Sequence, residues 1–197
     1  MKIAFWYEFA STYSYPAAMR IDEAAAEKDV DVAWCPFLLG PIFKAQGWAD
    51  SPFNLYPAKG RYMWRDMERI CARAGLPFKR PRTFPRNGLQ AARIATLGLK
   101  SGWTPAFSRA VFAANFAQDR DIGLDGVLRE ILMDLSLDAG AILEEAQSLT
   151  AKEKLRARCE EAALLGVFGA PSFTVGDELF WGSDRLDEAL DWASGIR

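Results

Sequence analysis

Ser11 and Ser14 stand three residues apart in the stretch EFASTYSYPAAMR, residues 8–20, where an apolar run passes into a helical pattern. A hydroxyl at the start of a helix lies among unpaired backbone N–H groups at the positive end of the helix dipole, a place that favours an anion or a thiolate. The chain contains no histidine. That absence removes Ser-His-Asp and Cys-His catalysis, histidine-ligated metal sites and the usual general base near neutral pH, and no metal site is expected. A serine nucleophile needs a positioned base. Ser11 is therefore read either as a hydrogen-bond donor to a ligand or as a helix N-cap, and Ser14 as a capping or packing residue of the first turn. The three cysteines, Cys35, Cys71 and Cys159, form no C-x-x-C pair. Cys71 falls on an apolar stripe with Met63, Met67 and Ile70, and Cys159 on one with Leu155 and Ala162. That is the pattern of buried structural thiols in a reducing compartment.

With 197 residues, 50% of them hydrophobic and 25% charged, the chain can bury one sizeable core or form a domain that carries a large insertion. Lys and Arg number 24 against 26 Asp and Glu, which leaves no global field to attract nucleic acid or an anionic membrane surface. Neither is expected as a partner. The N-terminal run is charged at Lys2 and again at Glu8, too soon for a signal peptide, and no stretch approaches the ~18 apolar residues of a membrane span. A cytoplasmic location is the expectation.

Residues 2–9 (KIAFWYEF) are apolar on both alternating faces, as in a central strand covered on both sides. Ala17, Ala18, Ile21, Ala24 and Ala25 then form one stripe, and Pro16 fits only a first turn, so a helix starting between Ser11 and Ser14 runs to about Lys28. Val30, Val32 and Trp34 alternate up to Pro36, giving a second strand that joins the first by a right-handed parallel crossover. From about residue 61 to 165 the periodicity is helical nearly throughout, roughly four to six helices. Beyond Gly166, Ser172–Val175 and Glu178–Trp181 make a hairpin about Gly176 and Asp177. Ser183 or Asp184 would cap a last helix whose stripe is Leu186, Ala189, Leu190 and Ala193.

The order β-α-β, helical block, β-β-α is that of a thioredoxin-like α/β domain, residues 1–50 and 166–197, with a large all-helical insertion, residues 51–165. In that fold Pro171 would follow a cis peptide at the start of the third strand. Three segments carry a more specific likeness: FASTYSY at 9–15, PFNLYPAKGRYM at 52–63 and GVFGAPSFTVGDELFWGSDRL at 166–186. Over essentially its full length the chain resembles the 2-hydroxychromene-2-carboxylate isomerases of the kappa-type glutathione transferase superfamily, relatives of bacterial disulfide oxidoreductases with serine in place of the active cysteine. The resemblance implies glutathione as cofactor. It further implies that Ser11 hydrogen-bonds the glutathione sulfur, that Ser183 and Asp184 grip the γ-glutamyl end, and that the backbone of Ala170 beside Pro171 pairs with the tripeptide. Lys59 and Asn54 would stand near the glutathione or substrate carboxylates. A homodimer is implied, and so is a small aromatic or electrophilic substrate, with 2-hydroxychromene-2-carboxylate converted to trans-o-hydroxybenzylidenepyruvate. Thr12 stands where many relatives carry proline.

Trp6, Phe37, Phe43, Trp48, Tyr62 and Trp64 are candidates for an aromatic-lined cavity between the two domains, or for core. Lys59 and Arg61 are by default solvated charges. Two other functions stand beside the isomerase: a kappa-like glutathione transferase acting on other electrophiles, and a non-catalytic glutathione- or ligand-binding module.

Overall fold

The doubly apolar N-terminal run forms β1 (Lys2–Tyr7), a strand with neighbours on both edges. The structure, a computed structural model, describes residues 1–196. α1 (Ser14–Ala26) returns the chain to β2 (Asp31–Pro36), which lies parallel to β1 in register from Lys2↔Asp31 to Tyr7↔Pro36. Successive β1 side chains serve opposite faces of the sheet. Phe5 and Tyr7 stack with ring centroids 5.0 Å apart and both meet Trp34, whereas Trp6 packs edge-on against Phe37 at 6.2 Å. α1 begins with Pro16 in its first turn, buries Ala17, Ala18, Ile21 and Ala25, and ends where the Val30 N–H returns to Ala25 O at 3.0 Å.

Eight helices follow: α2 (Leu39–Ala45), α3 (Pro52–Leu55), α4 (Pro57–Arg73), α5 (Leu89–Leu97), α6 (Thr104–Phe116), α7 (Asp125–Asp134), α8 (Ala139–Glu145) and α9 (Leu149–Leu164). Their starts are chemically marked. Pro52 and Pro57 open α3 and α4, where a missing N–H costs nothing, and the side chains of Ser51, Asp138 and Ser148 accept the N–H groups of Phe53, Ala141 and Ala151. The helices share one apolar core with the sheet: Phe9 meets Phe112 at 5.2 Å, and the Tyr7 hydroxyl lies 2.7 Å from Ser108 Oγ. Where α6 ends, Asp119 accepts from Arg86 and from the backbone and side chain of Arg82, with Asp119 and Arg86 side chains 2% and 5% exposed.

The chain re-enters the sheet as β3 (Ser172–Val175), antiparallel to β1, and turns through Gly176 into β4 (Glu178–Trp181), completing the order β2-β1-β3-β4. This is the thioredoxin-like arrangement expected from the sequence. α10 (Leu186–Ser194) closes it, burying Leu186, Ala189, Leu190 and Ala193. The expected cap is corrected: Ser183 and Asp184 lie in a separate 3-10 turn, Ser183–Arg185, and neither side chain caps α10. Asp187 and Glu188 in the first turn of α10 supply the favourable charge instead. Cys35, Cys71 and Cys159 are all buried and unpaired. No helix among the described residues is long and apolar enough to cross a membrane.

Candidate functional site

The turn between β1 and α1 is closed by the Ser11 N–H on Glu8 O at 3.0 Å, which aims the Ser11 side chain across to the entry of β3. Ser11 Oγ donates to Ala170 O at 2.8 Å and accepts the Ser14 N–H at 3.2 Å. The capping role of Ser11 is realised, since one lone pair serves the first turn of α1, while its proton goes to the entry of the third strand. Ser14 is corrected as a cap. Its N–H is the group being capped, and its own Oγ is buried without a partner, as is Thr12 Oγ1. Ser14 packs; Ser11 caps.

Ala170–Pro171 is a cis peptide. Here the two ends of the 166–186 segment meet, for the Gly182 N–H bonds Pro171 O at 2.9 Å and the Trp181 ring lies 4.9 Å from Phe168. A Cβ on Gly169 would fall 2.3 Å from Trp181 Nε1, so only glycine admits the indole there. Gly182 has φ +115°, which L residues rarely adopt, and the Asp184 carboxylate folds back against it. Asp184 is exposed and makes no ion pair or hydrogen bond among the described residues. Ser11, Ala170–Pro171 and the turn at Ser183 and Asp184 thus form one surface at the N-terminus of α1.

The family model for the DSBA-like thioredoxin domain matches residues 2–191, from the first strand into the last helix. The chain belongs to the DSBA-like thioredoxin domain family. It is similar to the 2-hydroxychromene-2-carboxylate isomerase of Sphingobium xenophagum, 29% identical over 190 residues that cover 94% of each chain. It is also similar to glutathione S-transferase kappa 2 of Caenorhabditis elegans, 22% identical over 204 residues, 96% of this chain and 90% of that one. A solved 2-hydroxychromene-2-carboxylate isomerase structure superposes with a TM-score of 0.89 at 24% identity, covering 99% of this chain and 95% of the other, and shares the fold.

In this DSBA-like thioredoxin domain the start of α1 presents the Ser11 hydroxyl, with every cysteine buried elsewhere, so the site holds no dithiol of its own. Two titratable groups that sequence reasoning passed over lie on the segment between β1 and α1. Burial pushes the Glu8 carboxyl up to about 7, with the Leu39 N–H at 3.4 Å pulling the other way. Burial, reinforced by Asp66, raises the Tyr13 phenol well above its ordinary range; its hydroxyl donates to Asp66 at 3.1 Å, and the charge of Asp184 reaches it too. The signals were there to find: a lone acid ending a doubly apolar strand, and an aromatic inside S-x-x-S.

The other expected site residues are placed less centrally. The Asn54 amide is engaged, donating to Asp50 Oδ2 at 3.0 Å and Phe84 O at 3.1 Å, which ties α3 to its neighbouring loop. Lys59 is exposed on the first turn of α4, its ammonium 5.1 Å from the Tyr56 ring. The link from this region to the S-x-x-S turn runs through Tyr13, whose ring lies 6.2 Å from Phe53. The six aromatics do not converge on one cavity. Trp6 and Phe37 are core, Phe43 pairs with Trp48, Trp64 packs on Phe84, and Tyr62 is 61% exposed.

Proposed function

We propose that this protein is a glutathione-dependent isomerase of the 2-hydroxychromene-2-carboxylate isomerase type, acting in the cytoplasm as a homodimer. The observation that carries the proposal is the 2.8 Å bond from Ser11 Oγ to Ala170 O, which sets a hydroxyl, a helix N-terminus and the carbonyl beside Pro171 on one spot. The name of the Sphingobium xenophagum relative supports the isomerase and that of the Caenorhabditis elegans relative supports glutathione. Exposed Leu164, Leu165, Phe168 and Trp181 offer an apolar face for a second copy.

The donor set suits the tripeptide. Ser11 and the α1 N-terminus match a sulfur anion, the Ala170 carbonyl matches an amide N–H, and the unpaired Asp184 carboxylate matches an ammonium group. Glutathione held there would supply a thiolate, the nucleophile whose reversible addition to a conjugated carbon would let a double bond of an unsaturated aromatic acid rotate. The chain's own part is electrostatic. Ser11, which in the fold donates to Ala170 O and accepts the Ser14 N–H, would turn its proton to a bound sulfur, and the Ala170 carbonyl so freed would be open to a backbone N–H of the tripeptide. The helix N-terminus favours the anion throughout, and with no histidine in the chain no imidazole moves a proton.

Asp184→Asn tests the anchoring half of the proposal. Because Asp184 carries no ion pair in the fold, the variant should melt as the wild type does while glutathione binds ~10-fold more weakly or worse, the loss of one charge-assisted pair. Calorimetry and a melting curve on the same sample decide it. An unfolded variant whose residual native fraction binds glutathione normally would make Asp184 structural. The likeness to glutathione S-transferase kappa 2 supports a conjugating transferase as the second reading. Product analysis separates the two, since an isomerase returns glutathione unchanged and a transferase consumes one per turnover.

A further inference from the structure

A cavity of about 430 Å³ opens between α2, α5 and α9, and none of Ser11, Ala170, Pro171, Ser183 or Asp184 lines it. Its walls are mostly apolar, with Leu38 and Ile42 on one side and Leu155 with the Cys159 thiol on the other. Burial raises the Cys159 thiol above its usual range, and its sulfur accepts the Leu38 N–H at 3.4 Å, so it adds no negative charge. The charges that do face the cavity are unbalanced. Arg156 is neutralised by Glu160 at 2.9 Å. Arg93 and Lys152 have no carboxylate: Arg93 reaches only Gln147 Oε1, at 3.5 Å, and its Nε is buried without a partner. The Lys152 ammonium makes no ion pair or hydrogen bond among the described residues; only its backbone N–H is engaged, on Ser148 O at 3.2 Å.

An apolar cleft with two uncommitted cations at its edge selects an apolar body that ends in an anion. The guanidinium of Arg93, on the cavity wall, offers the planar fork that fits a carboxylate. The volume lies at the small end of the ~300–1,000 Å³ range of small-molecule sites, enough for a substituted ring and short of a nucleotide coenzyme. We propose that this cavity binds a small aromatic monocarboxylate, the ring against Leu38, Ile42 and Leu155 and the carboxylate between Arg93 and Lys152. The site does not depend on glutathione, because its lining shares no residue with the Ser11 surface.

The test uses the full chain without glutathione and trans-cinnamate as the probe. Calorimetry should show one saturable site, and cinnamyl alcohol, the same ring and chain without the charge, should bind at least ~10-fold more weakly. Arg93→Gln combined with Lys152→Gln should cost cinnamate a similar factor. Independently, saturating cinnamate should slow alkylation of Cys159 by iodoacetamide in the wild type, with the modified cysteine located by peptide mass. Absence of saturable binding, equal affinity for the alcohol, decanoate binding tighter than cinnamate, or unslowed Cys159 alkylation would each overturn the proposal. Should the double variant fail to fold, Cys159 protection in the wild type still decides.

Discussion

Ser11→Ala should keep glutathione affinity within a few fold yet cut turnover by ~10²-fold, the effect of losing one donor at a charged centre. Alanine removes the only proton that the S-x-x-S turn directs toward Ala170 O, and with it the donor available to a bound thiolate. The bound thiol should then titrate at higher pH, so activity should partly return as the pH is raised. The Ser14 N–H also loses its acceptor, a helix-start cost of ~1 kcal/mol that a melting curve reports separately. Ser14→Ala is the internal control. Its hydroxyl is buried without a partner, so deleting it should leave turnover unchanged and should not lower stability. Rates against pH for the two variants, with thiolate followed by ultraviolet absorbance, separate a sulfur donor from a cap. Wild-type turnover and titration in Ser11→Ala would reduce Ser11 to capping.

Asp119→Asn should lower the melting temperature by on the order of 10 °C at neutral pH, because it strands the buried Arg86 guanidinium. The Arg82 N–H, with the Arg86 and Arg82 side chains, holds the Asp119 carboxyl down at about 2, below its ordinary 3.8. A carboxyl depressed in the folded state stabilises above its unfolded value and loses that contribution as the pH falls through its folded one. The gap between wild type and variant should therefore be widest above pH 4 and shrink toward pH 2. Glu8 acts with the opposite sign. Raised from 4.5 to about 7, it makes the fold relatively more stable below pH 4.5 and less so as the pH rises through 7, and it cancels in the difference between the two proteins. Melting curves across pH check the prediction, and a constant gap from pH 2 to 7 would contradict it.

The sheet was legible because its strands announce themselves. β1 is apolar on both faces since it lies between β2 and β3 with helices on either side, and the hairpin follows directly from Gly176 and Asp177 between two short strands. α1 was placed by Pro16 at its start. Less legible was anything set by contacts distant in sequence. The Ser11 proton goes to Ala170 O, far along the chain, and the 3-10 turn that displaces Ser183 and Asp184 from the cap of α10 follows Gly182 at φ +115°; a short sequence window encodes neither. The aromatics were undecided for a related reason: a sequence window does not separate pocket lining from core, and Trp6 and Phe37 prove to be core. At the site, Ser11 was found through its position before α1, whereas the raised carboxyl of Glu8 comes from burial, which a sequence window does not report.

The central claim is that Ser11, Ala170–Pro171 and Asp184 together hold glutathione, and a crystal structure of the protein grown with glutathione tests it most directly. The sulfur should lie within hydrogen-bond reach of Ser11 Oγ at the N-terminus of α1, with the Ser11 bond to Ala170 O released, the tripeptide backbone on the Ala170 carbonyl and the γ-glutamyl ammonium at Asp184. Glutathione bound with its sulfur away from Ser11, or no glutathione at the site from millimolar solution, would contradict it.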